Sequence, residues 1–175
     1  MNSKSFDEVF DTLPAAGWLS EDEAKLLWSM AEQTEGPILE VGCFRGRSTV
    51  LLAAFGRPVC CVDPFDNFST DFTGDQIRDM FLMNLEARGI RDVILYRTKI
   101  EDWEPTGTFG LTYLDGDHTY QGTLDQIEVA LKCRPTVIAI HDVNDSGGGL
   151  EVKRAAVELL GAWDERVERL AVWRT

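Results

Sequence analysis

At 175 residues with 44% of them hydrophobic, the chain is long enough to bury a genuine core and short for two ordinary domains, so one domain is expected. Thirty acidic residues stand against seventeen basic ones, a formal net charge of -13, and no stretch concentrates Lys or Arg. That field repels phosphate and argues against a nucleic-acid partner; its ordinary use is solubility.

The segment "MNSKSFDEVFDTL" carries acids where a signal peptide needs a basic flank and an apolar run, and no later run approaches a membrane span. The four cysteines, Cys43, Cys60, Cys61 and Cys133, make no C-x-x-C pair and read as reduced, buried side chains. A cytoplasmic protein with no membrane partner is expected. In "SEDEAKLLWSMAEQ", Ser20 and Glu23 fit a capping box, and Leu26, Leu27 and Met30 recur at helical spacing, so residues 1–36 are expected to form a helical segment packed on the rest.

After Pro37, "ILEVG" reads as a strand and "STVLLAAFG" as a helix ended by Gly56. "PVCCVD" is a second buried strand, "GDQIRDMFLMNLEARGI" a helix closed by Gly89, and "DVILYR" a strand. "GLTYLDGDH" runs as a strand into an acidic turn, "YQGTLDQIEVALK" is a helix, and "TVIAIHDV" a strand ending in His141 and Asp142. "GLEVKRAAVELLGAW" gives a last helix and "RLAVWR" a last strand. Continuous apolar strands alternating with amphipathic helices predict a Rossmann-like, doubly wound α/β fold: a mainly parallel sheet covered on both faces, with an antiparallel C-terminal strand.

In such a sheet the ligand crevice lies beyond the carboxyl ends of the strands, which directs attention to Glu40 with Gly42, to Asp63, to Asp115 with Asp117 and His118, and to His141 with Asp142. A pyrophosphate cofactor normally calls for G-x-G-x-x-G. Here Gly42 and Gly46 give G-x-x-x-G, preceded by Glu40. An acid beside the turn repels phosphate and attracts ammonium or sulfonium, and Asp63 ends the second strand where it can accept hydrogen bonds from ribose hydroxyls. S-adenosylmethionine has those groups. Glu40 alone is equally an acid that satisfies its own turn, Asp63 a strand terminator, and Ser48 a helix cap.

The ordered set "GWLSEDEAKLL", "ILEVGCFRGRST", "CVDPFD", "FLMNLEARGI", "LDGDHTYQGTLDQI" and "AIHDV" covers most of the chain. It resembles the class I S-adenosylmethionine-dependent methyltransferases, in particular a small family similar to macrocin O-methyltransferase and cephalosporin-hydroxylase-associated proteins. The resemblance implies O-methylation of a small hydroxylated acceptor such as a sugar or natural product. It places Glu40, Gly42, Gly46 and Ser48 around the methionine part of the cofactor, Asp63 on its ribose, Glu101 or Asp102 beside the adenine, and Asp115 at the same site. Related O-methyltransferases hold magnesium with acids at these strand ends, which nominates Asp115 and Asp142 as ligands of a divalent ion, magnesium or manganese.

His141 departs from that pattern, and a nitrogen ligand favours manganese, iron or zinc over magnesium. Asp115, His141 and Asp142 are the metal set expected, with Asp115, His118 and His141 as catalytic candidates. Either histidine alternatively serves as a base, and Asp117 alternatively replaces Asp115 or caps the helix near Tyr120. Phe65, Phe68 and Phe72 form either a lid or a local plug, and Trp18, Trp28, Trp163 and Trp173 read as core or interface residues, with Trp103 flanking the adenine. A non-catalytic cofactor-binding relative or interaction module is the alternative function, and a nicotinamide-dependent oxidoreductase a further one. The acceptor and the oligomeric state, a homo-oligomer included, stay open.

Overall fold

The computed structural model describes residues 4–66 and 71–175. Its sheet begins with β1 (Ile38–Val41), β2 (Val59–Val62), β3 (Val93–Tyr96), β4 (Leu111–Leu114) and β5 (Val137–Ile140), and ends in β6 (Glu165–Val167) and β7 (Leu170–Arg174). The strand order is β3-β2-β1-β4-β5-β7-β6. The first five strands pair in parallel, while β7 runs antiparallel to both β5 and β6, as the sequence predicts. The order reverses between β1 and β4. That switch point opens the crevice.

The pleat sorts the strand residues into two cores. Ile38, Cys61, Leu111, Tyr113 and Ala139 share one buried cluster with residues of four helices, α1 (Phe6–Phe10), α2 (Glu21–Gln33), α3 (Arg47–Ala53) and α4 (Gly74–Glu86). Leu39, Val62, Leu114, Ile138 and Ile140 face the other way, against Ile127 and Ala130 of α5 (Tyr120–Lys132) and Val152 and Ala156 of α6 (Gly148–Leu160). Register aligns Glu40 with Cys61 on one side and Tyr113 on the other, so all three lie in one row of one face.

Helix starts follow their capping residues. Ser5 with Glu8, Ser20 with Glu23 and Thr73 with Gln76 each make a reciprocal capping box. Helix α1 is too short to be read from periodicity, and its capping box is its main local support. Helix α5 is capped by Thr119, whose Oγ1 accepts from the Gly122 amide. Asp117 instead accepts from the Thr119 amide in the preceding turn, which corrects its expected capping role.

In the segment from Pro64 to Gly74, Phe68 lies outside the described residues. Phe65 is buried against Phe81, and Phe72 lies 4.4 Å from the Arg45 guanidinium. Neither described ring covers the crevice as a lid. Trp103 and Trp173 are core residues, whereas Trp18 is 65% exposed, which removes it from the core. Among the described residues no helix is long and apolar enough to cross a membrane.

Gly42 shows how tightly the switch point is closed. Its φ is +83°, and a Cβ there would sit 2.1 Å from the carbonyl oxygen of Asp115. Gly42→Ala therefore combines left-handed strain with a backbone clash and is expected to lower unfolding free energy by about 3 kcal/mol or more. Urea denaturation checks this; a wild-type midpoint would show that the β1 and β4 ends can part.

Candidate active site at the strand ends

A cavity of about 510 Å³ opens where β1, β2, β4 and β5 end. Its floor is the turn after β1. There the amides of Cys43 and Phe44 donate to Asp63 Oδ2 at 2.7 and 3.0 Å, and the Phe65 amide donates to Oδ1 at 2.7 Å. Asp63 thus gathers two chain segments around one carboxylate. Burial raises its pKa, and the three amide bonds oppose that shift.

Of the expected cofactor residues, Gly42, Asp63, Glu101 and Asp115 line this cavity. Gly46 begins α3 at φ +82°, with its open side against Phe81. Ser48 borders a smaller adjoining pocket with Cys43, Tyr113 and Asp115. Asp102 is outside both walls, and Trp103 is buried between Tyr96 and Phe109. Glu40 is fully buried below the turn. Its Oε1 accepts from Ser48 Oγ at 2.5 Å and its Oε2 from Cys61 Sγ at 3.4 Å. Burial pushes its pKa up to about 7, against the opposing pull of Ser48, Thr49 and Cys61.

The acid and histidine cluster forms because residues two apart on a strand share a face. Asp115 follows Tyr113 and His141 follows Ala139, so both side chains emerge on the α2 side of the sheet. The Asp115 amide still pairs with Val41 and the His141 amide with Leu114, which extends the ladder past the strand ends. Asp115 Oδ1 lies 3.1 Å from His141 Nδ1 and 3.3 Å from His118 Nε2, while Tyr113 donates its hydroxyl to Oδ2 at 3.1 Å. Burial raises the Asp115 pKa, but the His141 charge and the two imidazole contacts outweigh it and hold the group at about 2.

His141 is almost fully buried, and its other nitrogen faces Glu23 Oε2 of α2 at 3.3 Å. The alignment is that of an ion pair more than of a hydrogen bond, since Nε2 has no well-directed acceptor. Burial works to lower the His141 pKa, yet Asp115 and Glu23 on opposite sides raise it to about 10. An imidazolium has no lone pair to give a metal or to take a proton. His141 also stands outside the set of donor atoms that fall together at the cavity wall.

His118 is the imidazole that faces the cavity. The ring is 42% exposed at the cavity, with Nε2 toward Asp115 and Nδ1 3.5 Å from Asp142 Oδ2. One donor atom each from Asp115, His118 and Asp142 falls within 4.8 Å of the others. The Asp115 contact raises the His118 pKa, opposed by desolvation. Asp142, held at φ +57°, turns Oδ1 to Arg169 Nη1 at 2.9 Å and leaves Oδ2 toward His118. Asp117 lines the cavity but stands outside this set, so Asp115 is the acid of the D-G-D pair that joins it.

Sequence reasoning missed four supporting residues. Glu23 was legible only as a helix cap, Tyr113 only as a strand residue and Arg169 only as the start of the last strand. Trp18 lines the cavity mouth, its ring stacked on Phe44 at 5.5 Å and its carbonyl held by Arg169 Nη2 at 3.0 Å.

One protein-family model, described as "Methyltransferase domain", matches residues 39–143. No curated protein sequence matches the chain. Several solved structures are similar in fold. An O-methyltransferase from Bacillus cereus, solved in complex with SAH, is 24% identical, with 89% of this chain and 77% of that one covered and a TM-score of 0.61. TomG of Streptomyces achromogenes, an O-methyltransferase involved in tomaymycin synthesis and solved with SAM, is 18% identical over 100% and 91% of the two chains, TM-score 0.64. CalS11, a TDP-rhamnose 3'-O-methyltransferase of calicheamicin biosynthesis, is 14% identical over 97% and 91%, TM-score 0.63.

The buried pair of Glu23 and His141 gives stability a defined pH window. Glu23 is held at about 2, where burial raises it but His141 and the Ser20 and Arg169 amides lower it further; its contribution is complete above the ordinary carboxyl range and is lost as pH falls through about 2. The raised His141 contributes fully below its ordinary 6.5 and loses that contribution as pH rises through about 10. Glu23→Gln is therefore expected to cost about 3 kcal/mol at pH 6, the scale of breaking a buried pair, and less at pH 10. Urea denaturation at both pH values measures the difference; a penalty independent of pH would remove the ion pair from the account.

Proposed function

The chain belongs to the methyltransferase-domain family, and from that premise we propose that it transfers the methyl group of S-adenosylmethionine to a hydroxyl of a small acceptor, acting as one catalytic unit. The observation that carries the reading is the shared cavity in which Asp63 and the β1 turn stand on one side and Asp115, His118 and Asp142 on the other. The O-methyltransferase activities of CalS11 and TomG, and the SAM and SAH in the structures of similar fold, support the same cofactor and reaction.

Asp63 is the ribose acceptor in this reading. Three amides already occupy it, and a carboxylate offers about four lone-pair positions, so it has room for about one ribose hydroxyl rather than two. Glu101 and Ile100 supply the wall beside the adenine. The sulfonium lies toward Asp115, where the acidic cluster favours positive charge.

The donor set of Asp115, His118 and Asp142 fits a divalent cation: two carboxylates and an imidazole at the cavity wall, with manganese better suited than magnesium to the nitrogen. Such an ion, when bound, lowers the pKa of the acceptor hydroxyl. Tyr113 and His141 hold the Asp115 carboxylate in one orientation, Arg169 holds Asp142, and Trp18 with Phe44 forms an apolar wall that limits water at the reacting hydroxyl.

S-adenosylhomocysteine is expected to bind in calorimetry and NAD is not, and Asp63→Ala weakens the former by about tenfold to a hundredfold, one charge-assisted hydrogen bond. NAD binding as tight as S-adenosylhomocysteine would overturn the cofactor assignment.

For the reaction, Asp142→Ala and EDTA should each abolish methyl transfer while leaving S-adenosylhomocysteine affinity within about threefold, since neither removes a cofactor contact. Activity that survives chelation but falls about 10²- to 10⁴-fold in His118→Ala would replace the ion with a histidine base.

A further inference from the structure

Beneath the β1 turn lies a second cluster that the methyl-transfer reading does not use. Glu40 of β1, Cys43 of the turn and Cys61 of β2 are all buried, and one donor atom from each falls within 4.8 Å of the other two. Thr49, in the first turn of α3, is also fully buried, with its hydroxyl close enough to Glu40 and Cys61 to bear on the ionisation of both.

We propose that Glu40, Cys43, Cys61 and Thr49 form a binding site for a thiophilic divalent cation, zinc in its biological form, separate from the strand-end cluster. Two thiolates and a carboxylate are three ligands of the kind that suit tetrahedral zinc, and the Thr49 hydroxyl adds a neutral oxygen beside them. Ligands at about 2.0–2.3 Å from one ion stand under about 4 Å apart, so donors now within 4.8 Å need only a small contraction. Binding exchanges the two thiol protons for the ion, and both protons pass to solvent. Of the four residues, Cys43 alone lines the smaller pocket, the side nearest to solvent.

The position gives the ion a consequence. The Cys43 amide donates to Asp63 Oδ2, so drawing the Cys43 thiol inward acts on the same turn that lines the large cavity. Binding below the turn and binding above it are then coupled, and reciprocally so.

Cobalt(II) is the probe, because thiolate ligation gives an intense near-ultraviolet charge-transfer band that carboxylate and imidazole ligation does not. The full chain is expected to show that band, saturating at one equivalent and lost on addition of zinc. Cys43→Ser and Cys61→Ser should each weaken cobalt binding by more than about tenfold, the scale even of outer-shell losses. Cys60→Ser, Cys133→Ser and Asp142→Asn should leave the band in place. If a serine variant fails to fold by circular dichroism, the wild-type titration still decides, since the strand-end set contains no sulfur. Absence of the band at saturating cobalt, or its persistence in folded Cys43→Ser, would overturn the site and leave a hydrogen-bonded thiol pair. The ion site is read from the thiolate band and the methyl-transfer reading from S-adenosylhomocysteine binding, so failure of one is distinguishable from failure of the other.

Discussion

The arrangement at the strand ends depends on one buried ion pair, Glu23 of α2 against His141 after β5. Glu23 has no exposed surface, and it also accepts from the Ser20 and Arg169 amides. It therefore joins the start of α2, the β6–β7 turn and the end of β5 at a single carboxylate. A lone buried carboxylate or imidazolium would be costly, but each here neutralises the other and passes a fixed charge to Asp115. Remove His141 and the strand-end acids lose the cation beside them; remove Glu23 and that cation loses one of the two carboxylates that hold it.

The charge pattern around that pair explains what the cluster can accept. Glu23, Asp115 and Asp142 bring three negative charges, and His141 and Arg169 return two positive ones. The remaining deficit falls beside His118, the half-exposed member facing the cavity. The Asp115 contact favours the protonated form of His118, the form that offsets this deficit. A divalent ion or a sulfonium nearby would meet the same demand, which is why the cluster suits a cationic cofactor better than a phosphate. In a chain of net charge -13 the site is locally near balance, so its preference comes from placement and not from bulk charge.

Much of this was legible because it depends on strand ends. The alternation of apolar strands and amphipathic helices predicted the doubly wound sheet, and the polar residues closing those strands predicted where the crevice would open. The D-G-D-H and H-D pairs did lead to the cluster. What the sequence could not rank was two histidines with the same neighbours, because their difference is tertiary. His141 is enclosed by α2, more than a hundred residues away along the chain, and so becomes a fixed cation; His118 sits in the acidic turn and keeps one side open. Glu23 was hidden by a true local role, since its capping box with Ser20 accounts for the residue without any further partner. Trp18 was legible only as core or interface for a related reason: its stacking on Phe44 and its place in the cavity wall are tertiary.

The acids closing β1 and β2 differ by their position in the pleat. Glu40 lies inside β1, in register with Cys61 and Tyr113, and so points into the helix-covered face whatever follows it. Asp63 lies one residue beyond β2, free of the ladder on its far side, where three amides from two segments can reach it. Two carboxylates beside one turn thus act from opposite sides: Glu40 fixes the turn from below through Ser48 on α3, and Asp63 from above through Cys43 and Phe44. Glu40 is held near neutrality by burial while Asp63 has amides to support its charge, so only the second is suited to meet a ligand in the cavity. An acid next to a glycine turn is therefore ambiguous until its parity on the strand is known, and register supplies that parity.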